Sequence, residues 1–482
     1  MPSPASDLSQ PLYAQIAQGM AQLIDSQVFK SGMRLPSVRE VAAQNAVSVA
    51  TAVQAYRWLE ERNLITARPK SGYYVAARRK GPALPAISRP PKYSLQVDSQ
   101  NRSEQLDQMG VDSPSMPRVS FGGTCPKDPD FFDEVRVRAA VNRATREHRF
   151  SLVTYKDSSG TPALKEAVAR RALHLGCRLQ PDNIVISSSC INAVSMCLRA
   201  VTQPGDVVAL ESPTHFGFLD LIESLNLRAL EIPTHPKDGM SLPALQLALD
   251  TQPVRAVLSV PTLSNPLGAV MKNTDKKALV HLLTQRQVPL IEDVVFNDLL
   301  ASDERRKAAK AYDVEGWVMV CGSFSKTLTP GVRIGWCEAG RWKDSVMRLK
   351  SVYGIQTTDV LEHALAELLT QSHYEARMRR LSTVLRQRLE EARGIISASF
   401  PTGTRVSRPV SGYTLWVELP ETFNTMTLFR QSMAEGIQFG PGALFSASDR
   451  FDHCLRLSFA GTWTDVERRA LSQIGEIAKA LG

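Results

Sequence analysis

Gly322-Ser323-Phe324-Ser325-Lys326-Thr327-Leu328-Thr329-Pro330-Gly331-Val332-Arg333 follows directly on the apolar run Val318–Cys321. The run reads as a buried strand. The small hydroxyl residues and the Pro-Gly pair after it read as a turn leaving the strand's end. A lysine at the mouth of a buried strand, between hydroxyls and ahead of an arginine, suits a Schiff-base amine beside an anion clamp, because a partly desolvated lysine releases its proton more readily. An ordinary surface-loop lysine fits the same letters, and the segment alone leaves both readings open.

Outward from this segment, further short apolar runs alternate with helical patterns: Ile184–Ile186, Val207–Leu210, Ala256–Val260, Pro289–Ile291 and Val332–Trp336. Such alternation implies βαβ units and a mostly parallel sheet, an α/β domain expected over residues 119–355. Residues 356–482 open with long amphipathic helices and then give strands at Thr414–Glu418 and Leu455–Phe459, which suits a smaller α+β domain. Several strand ends carry polar residues. Ser188-Ser189-Cys190 stands between a strand and a helix, where exposed N–H groups and the helix dipole suit a phosphate. Glu292-Asp293 closes the run Pro289–Ile291, and Asn265-Pro266-Leu267-Gly268 reads as a turn.

The N-terminal 78 residues have a different character. Leu12, Ile16, Met20, Leu23 and Ile24 fall at helical spacing. Ser37 and Glu40 form a capping box that starts a second helix. A third follows the turn Ala46-Val47-Ser48, with Val49, Ala52, Val53, Tyr56 and Leu59 as its inward stripe. Leu64–Val75, with Pro69 and Gly72 inside it, reads as a hairpin, so the whole is a winged helix-turn-helix. Residues 1–80 hold ten Lys/Arg against five Asp/Glu, a net +5 of the chain's +9. A small basic domain points toward a polyanion, although a solvated basic face looks the same. Residues 79–118, interrupted by six prolines and without sustained period, read as a linker.

The composition, 43% hydrophobic and 22% charged over 482 residues, excludes wholesale disorder, a collagen-like repeat and a membrane bundle. No run approaches the ~18 apolar residues of a membrane span and the start is polar, so a cytoplasmic location is expected. Seven scattered cysteines without a C-x-x-C pair indicate neither a disulfide framework nor a zinc or other metal site.

The segment around Lys326 resembles the cofactor-lysine motif of fold-type I, class I/II aminotransferases, which bind pyridoxal 5′-phosphate (PLP). The resemblance implies that Lys326 forms a Schiff base with the cofactor while Ser323, Ser325 and Arg333 hold its phosphate, joined by Ser188, Ser189 and Cys190. It further implies that Asn265 donates to the phenolic oxygen, that Asp293 pairs with the pyridine nitrogen and keeps the ring an electron sink, and that Tyr155 reaches the partner subunit's phosphate. Arg456, in Cys454-Leu455-Arg456-Leu457-Ser458-Phe459, matches the arginine that grips a carboxylate bidentately. Two positions depart from the pattern. Phe296 stands where a tyrosine usually donates to the phenolic oxygen, so sustained transamination is expected to be weak. His215 stands where Trp or Tyr commonly stacks on the ring, with Phe216 as the competing stacker.

Residues 11–75 resemble GntR-type winged-helix repressors through Leu12-Tyr13 and Arg34-Leu35-Pro36-Ser37-Val38-Arg39-Glu40. The resemblance implies DNA contacts by Arg34, Ser37 and Arg39, by Lys70 and Gly72 of the wing, and by the third helix, where Val49 replaces a frequent arginine and leaves Thr51 and Gln54 to meet bases. Winged helix, Pro-rich linker and aminotransferase-like module in this order resemble the MocR subfamily of GntR regulators. The expectation is a homodimeric, PLP-dependent regulator of a double-stranded DNA operator, with PLP or an amino compound as effector and no membrane partner. An active aminotransferase carrying an accessory DNA-binding domain is the alternative, and a regulator with a retired, cofactor-free module a third.

Overall fold

Three short helices of the N-terminal unit meet through alanines, which let their axes approach closely. The structure, a computed structural model, describes residues 11–482 apart from 27, 62–63, 69–70, 77–81, 89–92, 98–116, 124, 127–130, 155–158, 301–306, 355 and 372. The chain divides into two compact units, residues 1–81 and 82–482.

In the first unit, α1 (Leu12–Asp25), α2 (Val38–Gln44) and α3 (Val49–Glu61) precede an antiparallel hairpin of β1 (Ile65–Arg68) and β2 (Gly72–Val75). The core is Ala17, Met20, Ile24, Leu35, Val41, Ala52, Ala55, Tyr56, Leu59, Ile65 and Val75. The expected stripes are rotated: Leu12, Leu23 and Val49 are 60%, 41% and 51% exposed, because Ala14, Ala17 and Ala55 take the inward positions. The capping box is present, with Glu40 N donating to Ser37 Oγ at 3.2 Å and Ser37 N to Glu40 Oε2 at 2.6 Å. Those bonds hold the Glu40 carboxyl below its usual range. Arg34 bridges Tyr74 as a third strand, and the Tyr56 hydroxyl donates to Pro36 O, which ties α3 to the start of α2.

The second unit is built on one sheet whose order is Leu95–Gln96, Arg228–His235, Val207–Ser212, Val254–Ser259, Leu290–Asp293, Val318–Ser323, Gly335–Glu338, Ile184–Ser187, with Gly239–Met240 appended to Arg228–His235. The pairings from Arg228–His235 through Val318–Ser323 are parallel. Gly335–Glu338 runs antiparallel to both neighbours. The apolar run expected as a strand from Val332 therefore begins its pairing only at Gly335, and Arg333 before it lies in the left-handed region with φ +53°. The parallel strands are buried on both faces, which is why they read as unbroken apolar runs. Their carboxyl ends bring Ser212, Ser259, Asp293 and Ser323 to one edge of the sheet, the edge where such sheets bind ligands.

A second layer carries the antiparallel sheet Arg405–Val406, Thr414–Glu418, Cys454–Ser458, Gly440–Pro441 and the helices Thr425–Ala434 and Asp465–Leu481. The two cores do not divide at 355/356. Val119 and Phe121 belong to the C-terminal core, while Val360, Leu365, Tyr374 and Leu381 belong to the large one, and the 27-residue helix His373–Ser399 passes from one to the other. Part of the stretch read as a linker is also built in. Leu95–Gln96 is an edge strand, Arg228 Nη2 donates to Ser94 O at 2.8 Å, and Val406 N donates to Ala83 O at 2.8 Å. Prolines there forbid helix but not edge pairing.

Gly335 shows how tightly the sheet edge backs the helix Cys190–Val201: a Cβ at Gly335 would fall 2.6 Å from Cys190 N and onto the Ser189 carbonyl. Gly335→Ala is therefore expected to destabilise the protein by ~1–3 kcal/mol, the usual cost of overpacking, as a lowered midpoint in urea unfolding.

Candidate functional site

Lys326 sits in the turn that leaves the strand Val318–Ser323, closed by Leu328 N donating to Phe324 O at 2.8 Å. Its ammonium is disfavoured chiefly by burial, and further by Arg456; Cys125, Asp293 and Cys190 oppose the shift, and the pKa still lies below the ordinary lysine value. Asp293 ends the neighbouring strand, in register with Cys321. Its Oδ1 accepts from Val295 N at 2.8 Å and from the Cys190 thiol at 3.2 Å, yet burial pushes its pKa up to about 6. Cys190, expected at a phosphate, thus has its thiol on Asp293.

Arg456 comes from the other layer, on the strand Cys454–Ser458, and is fully buried. Its Nη2 donates to Gly122 O and, at 3.4 Å, to Gly123 O, and the guanidinium lies 5.2 Å over the Phe445 ring. Nε and Nη1 have no partner, and burial lowers its pKa to about 10. Asn265 is a second case, with a buried, unpartnered Oδ1 in a turn where Ala269 N donates to Ser264 Oγ at 3.1 Å. Buried polar atoms left unpaired cost ~1–3 kcal/mol each, so the two unpartnered nitrogens of Arg456, next to Lys326, suit a polar ligand there.

The remaining residues surround this centre in varied states. Ser189 caps the helix Cys190–Val201 by accepting from Asn192 N at 3.2 Å, leaving Ser188 half-buried before it. Ser323 and Ser325 are buried beside Lys326. His215 Nδ1 accepts from Gly217 N at 2.8 Å as the cap of Phe216–Ser224, whereas the Phe216 ring meets Phe445 edge-on at 5.9 Å. Phe296 is buried, its ring 5.7 Å from that of Tyr413. Arg333 is exposed on its left-handed backbone rather than enclosed with the serines. Tyr155 lies outside the described residues.

Three groups here were not singled out in the sequence. Cys125 is half-buried with Sγ 3.9 Å from Ser325 O, Tyr413 is buried among Phe131, Phe296 and Arg456, and Glu211 is pushed up to about 7 by burial despite accepting from Ser259 Oγ at 2.8 Å. Only Glu211, at the end of the run Val207–Leu210, had a local signal.

In the N-terminal unit Arg34, Arg39 and Gln54 are exposed. Gly72 has φ +101°, and a Cβ there would lie 3.4 Å from Arg34 Nε, so the wing glycine and the motif arginine are neighbours. The Thr51 hydroxyl is tied to Ser48 Oγ at 2.8 Å, and Ser37 to its capping box, which leaves Gln54 the freer of the two helix positions. Arg68, which the sequence did not single out, lies over the Tyr74 ring at 4.3 Å. Lys70 lies outside the described residues.

A lysine, a carboxylate and a buried arginine at the carboxyl edge of such a sheet define an aminotransferase-like module. Residues 128–474 match the family Aminotransferase class I and II, and residues 12–75 match the gntR family of bacterial regulatory proteins. The HTH-type transcriptional regulators YjiR and YdcR of Escherichia coli are 33% and 35% identical over 466 residues, 96% of this chain and 98% of each relative. Among solved structures, LysN, an alpha-aminoadipate aminotransferase of Thermus thermophilus complexed with N-(5′-phosphopyridoxyl)-L-leucine, aligns at 24% identity. It has a TM-score of 0.71 and covers 80% of this chain and 96% of its own. Kynurenine aminotransferase of Pyrococcus horikoshii aligns at 25% identity with a TM-score of 0.70, over 80% of this chain and 95% of its own. The chain belongs to the MocR subfamily of GntR-type transcription regulators, a winged helix-turn-helix fused to a fold-type I aminotransferase-like domain. Among the described residues no helix is long and apolar enough to cross a membrane.

Asp293 holds its proton to about pH 6 when folded, against an ordinary value of 3.8, so stability falls as pH rises through that window. Two pKa units correspond to roughly 3 kcal/mol. Asp293→Asn keeps the shape without the charge. Thermal melts of the cofactor-free protein are expected to show the variant more stable than wild type at pH 7.5 and no more stable at pH 4.

Proposed function

We propose that the protein is a DNA-binding transcription regulator that carries PLP on Lys326 and responds to PLP or to an amino compound bound beside it. The observation that carries the reading is the fully buried Arg456, whose Nε and Nη1 have no partner, beside a lysine with a depressed pKa and a buried carboxylate. Their chemistry fits a small ligand with a carboxylate for the guanidinium and a protonated ring nitrogen for the carboxylate of Asp293. When bound, PLP supplies an electrophilic carbon and an electron-withdrawing ring.

The chain's own residues would do the rest. Lys326, disfavoured as an ammonium, keeps a neutral amine available at physiological pH more readily than an exposed lysine. Asp293, fixed by Val295 N and the Cys190 thiol, would pair with the ring nitrogen and hold a proton there. The helix start at Ser188 and Ser189, with Ser323, Ser325 and Arg333, would take the phosphate, the Asn265 amide N–H would donate to the phenolic oxygen, and His215 would stack on the ring, with Phe216, whose ring meets both His215 and Phe445, as the competing stacker. Arg456 grips the effector's carboxylate through its two unpartnered nitrogens. Phe296 adds no hydroxyl to this set. That and the regulator relatives, which span 96% of the chain where a 2-aminoadipate transaminase spans 75%, favour a regulator over a working aminotransferase.

Two copies of the chain form the functional unit, and the effector acts by its differential affinity for two arrangements of the DNA-binding domains. Borohydride reduction of the PLP-loaded wild type is expected to fix the cofactor on a Lys326 peptide, with loss of the adduct in Lys326→Ala; an adduct retained in the variant overturns the assignment.

Arg34 and Arg39 would clamp the DNA backbone. Replacing either with Ala is expected to weaken binding to operator and random DNA alike and to reduce the salt slope by about one unit per lost phosphate contact. Gln54→Ala would instead lose ~1–3 kcal/mol on the operator alone. Anisotropy titrations at several salt concentrations distinguish the two behaviours.

A further inference from the structure

The turn that carries Lys326 is held from behind by side chains with no part in the site described above. Tyr374, in the first turn of the helix His373–Ser399, donates its hydroxyl to Asp298 Oδ2 at 2.6 Å and shares a 2.8 Å hydrogen bond with Thr327 Oγ1. A phenol has one hydrogen, so the Thr327 hydroxyl is the donor in the second bond. Arg171 pairs with Asp298 Oδ1 at 2.9 Å and with Glu375, and its guanidinium lies 4.4 Å over the Tyr374 ring. Arg377, one helical turn on, donates from Nη2 to Phe131 O at 2.8 Å and to Thr327 O. Thr327 and Tyr374 are both buried.

The neighbour of Lys326 is thus fixed through its hydroxyl and its carbonyl by the start of a single helix. That helix packs Met378, Leu381 and Leu385 into the large core and Leu389, Ala392 and Ile396 into the C-terminal one. Asp298, at the other end of the phenol's bond, belongs to the same short segment as Asp293 and Phe296. The chain of bonds therefore joins three pieces: the segment after Asp293, the turn of Lys326, and the element that runs between the two cores.

We propose that Tyr374 is a positioning residue for Lys326: held by Asp298 and Arg171, its hydroxyl fixes Thr327 so that the lysine amine keeps its partly buried seat, and links that seat to the helix His373–Ser399. A ligand that draws Lys326 from its seat then works against the Tyr374–Thr327 bond and acts on the helix entering the C-terminal core. The groups around the amine are Asp293 from its strand, Cys190 from the helix start, Cys125 from the N-terminal segment and Arg456 from the C-terminal strand. None of these four is hydrogen-bonded to Tyr374, and the conservative Thr327→Ser variant separates a change in the lysine's seat from a change in its neighbours. The regulatory meaning of this link rests on the reading of Lys326 as the cofactor's attachment point, but the positioning itself does not.

The test uses the full chain without cofactor: acetic anhydride labelling from pH 6 to 10, with the Lys326 peptide read by mass spectrometry. Tyr374→Phe is expected to raise the labelling midpoint of Lys326 toward that of exposed lysines by about one unit, a roughly tenfold slower reaction at neutral pH. Thr327→Ala should do the same, Thr327→Ser should keep the wild-type midpoint, and the double variant Tyr374→Phe/Thr327→Ala should move no further than either single one. A Tyr374→Phe protein that melts lower but titrates Lys326 as wild type would make the network structural only and overturn the proposal, as would additive shifts. Failure of PLP to form a borohydride-stable adduct with wild type would instead remove the cofactor reading and leave the labelling result standing.

Discussion

Water is excluded from three charges at the carboxyl edge of the sheet, and the rest of the site follows from that exclusion. Burial raises the pKa of Asp293 and lowers those of Lys326 and Arg456, each toward its neutral form. Their mutual field offsets part of the cost: Lys326 favours the Asp293 carboxylate and Asp293 favours the ammonium. What remains is a place where an amine readily loses a proton and a guanidinium keeps two nitrogens without partners. Burial pushes other carboxylates of the unit up as well. Glu231 accepts from Ser446 Oγ and Ala447 N, and Glu292 from Ala309 N and Lys310 N, so both are satisfied within the chain.

Placing such a centre where two cores meet gives it reach. Lys326 and Asp293 belong to the large core, Arg456 and Phe445 to the C-terminal layer, and Gly122 and Gly123 of the N-terminal segment lie between them as acceptors for the guanidinium. A carboxylate on Arg456 and an amine at Lys326 engage both layers at once. Such a ligand changes the balance between arrangements of the protein by the difference in its affinity for them. A regulator of the GntR type requires that difference to be expressed at its DNA-binding domains, and a catalyst does not.

Much of the architecture was legible because parallel strands buried on both faces leave apolar runs, and because the capping box at Ser37 and Glu40 is a local pattern. Lys326, singled out by motif, has Asp293 and Arg456 near enough to act on its charge, whereas Cys190, expected at a phosphate, bonds Asp293. Reading failed where tertiary approach decides. Val332 and Ile334 look like strand, but Arg333 between them turns left-handed, so pairing begins only at Gly335. Alanines, with weak hydrophobic signatures, take inward positions of the N-terminal unit beside Met20, Ile24, Tyr56 and Leu59, while Leu12, Leu23 and Val49 stay exposed. Cys125, Tyr413 and Tyr374 carry no local pattern, and each reaches the site or its support across a long stretch of sequence. The prolines before Val119 signalled an absence of helix, which was mistaken for an absence of packing at Leu95–Gln96.

The central claim is that occupancy of the Lys326 site changes the affinity for DNA. Operator affinity of the full-length protein, measured at one salt concentration with and without saturating PLP, tests it most directly when Lys326→Ala is run alongside. Coupling of ordinary allosteric size predicts a difference of about 5-fold to 150-fold for wild type and none for the variant. Equal affinities for wild type with and without PLP, in protein that demonstrably carries the cofactor, would contradict the account.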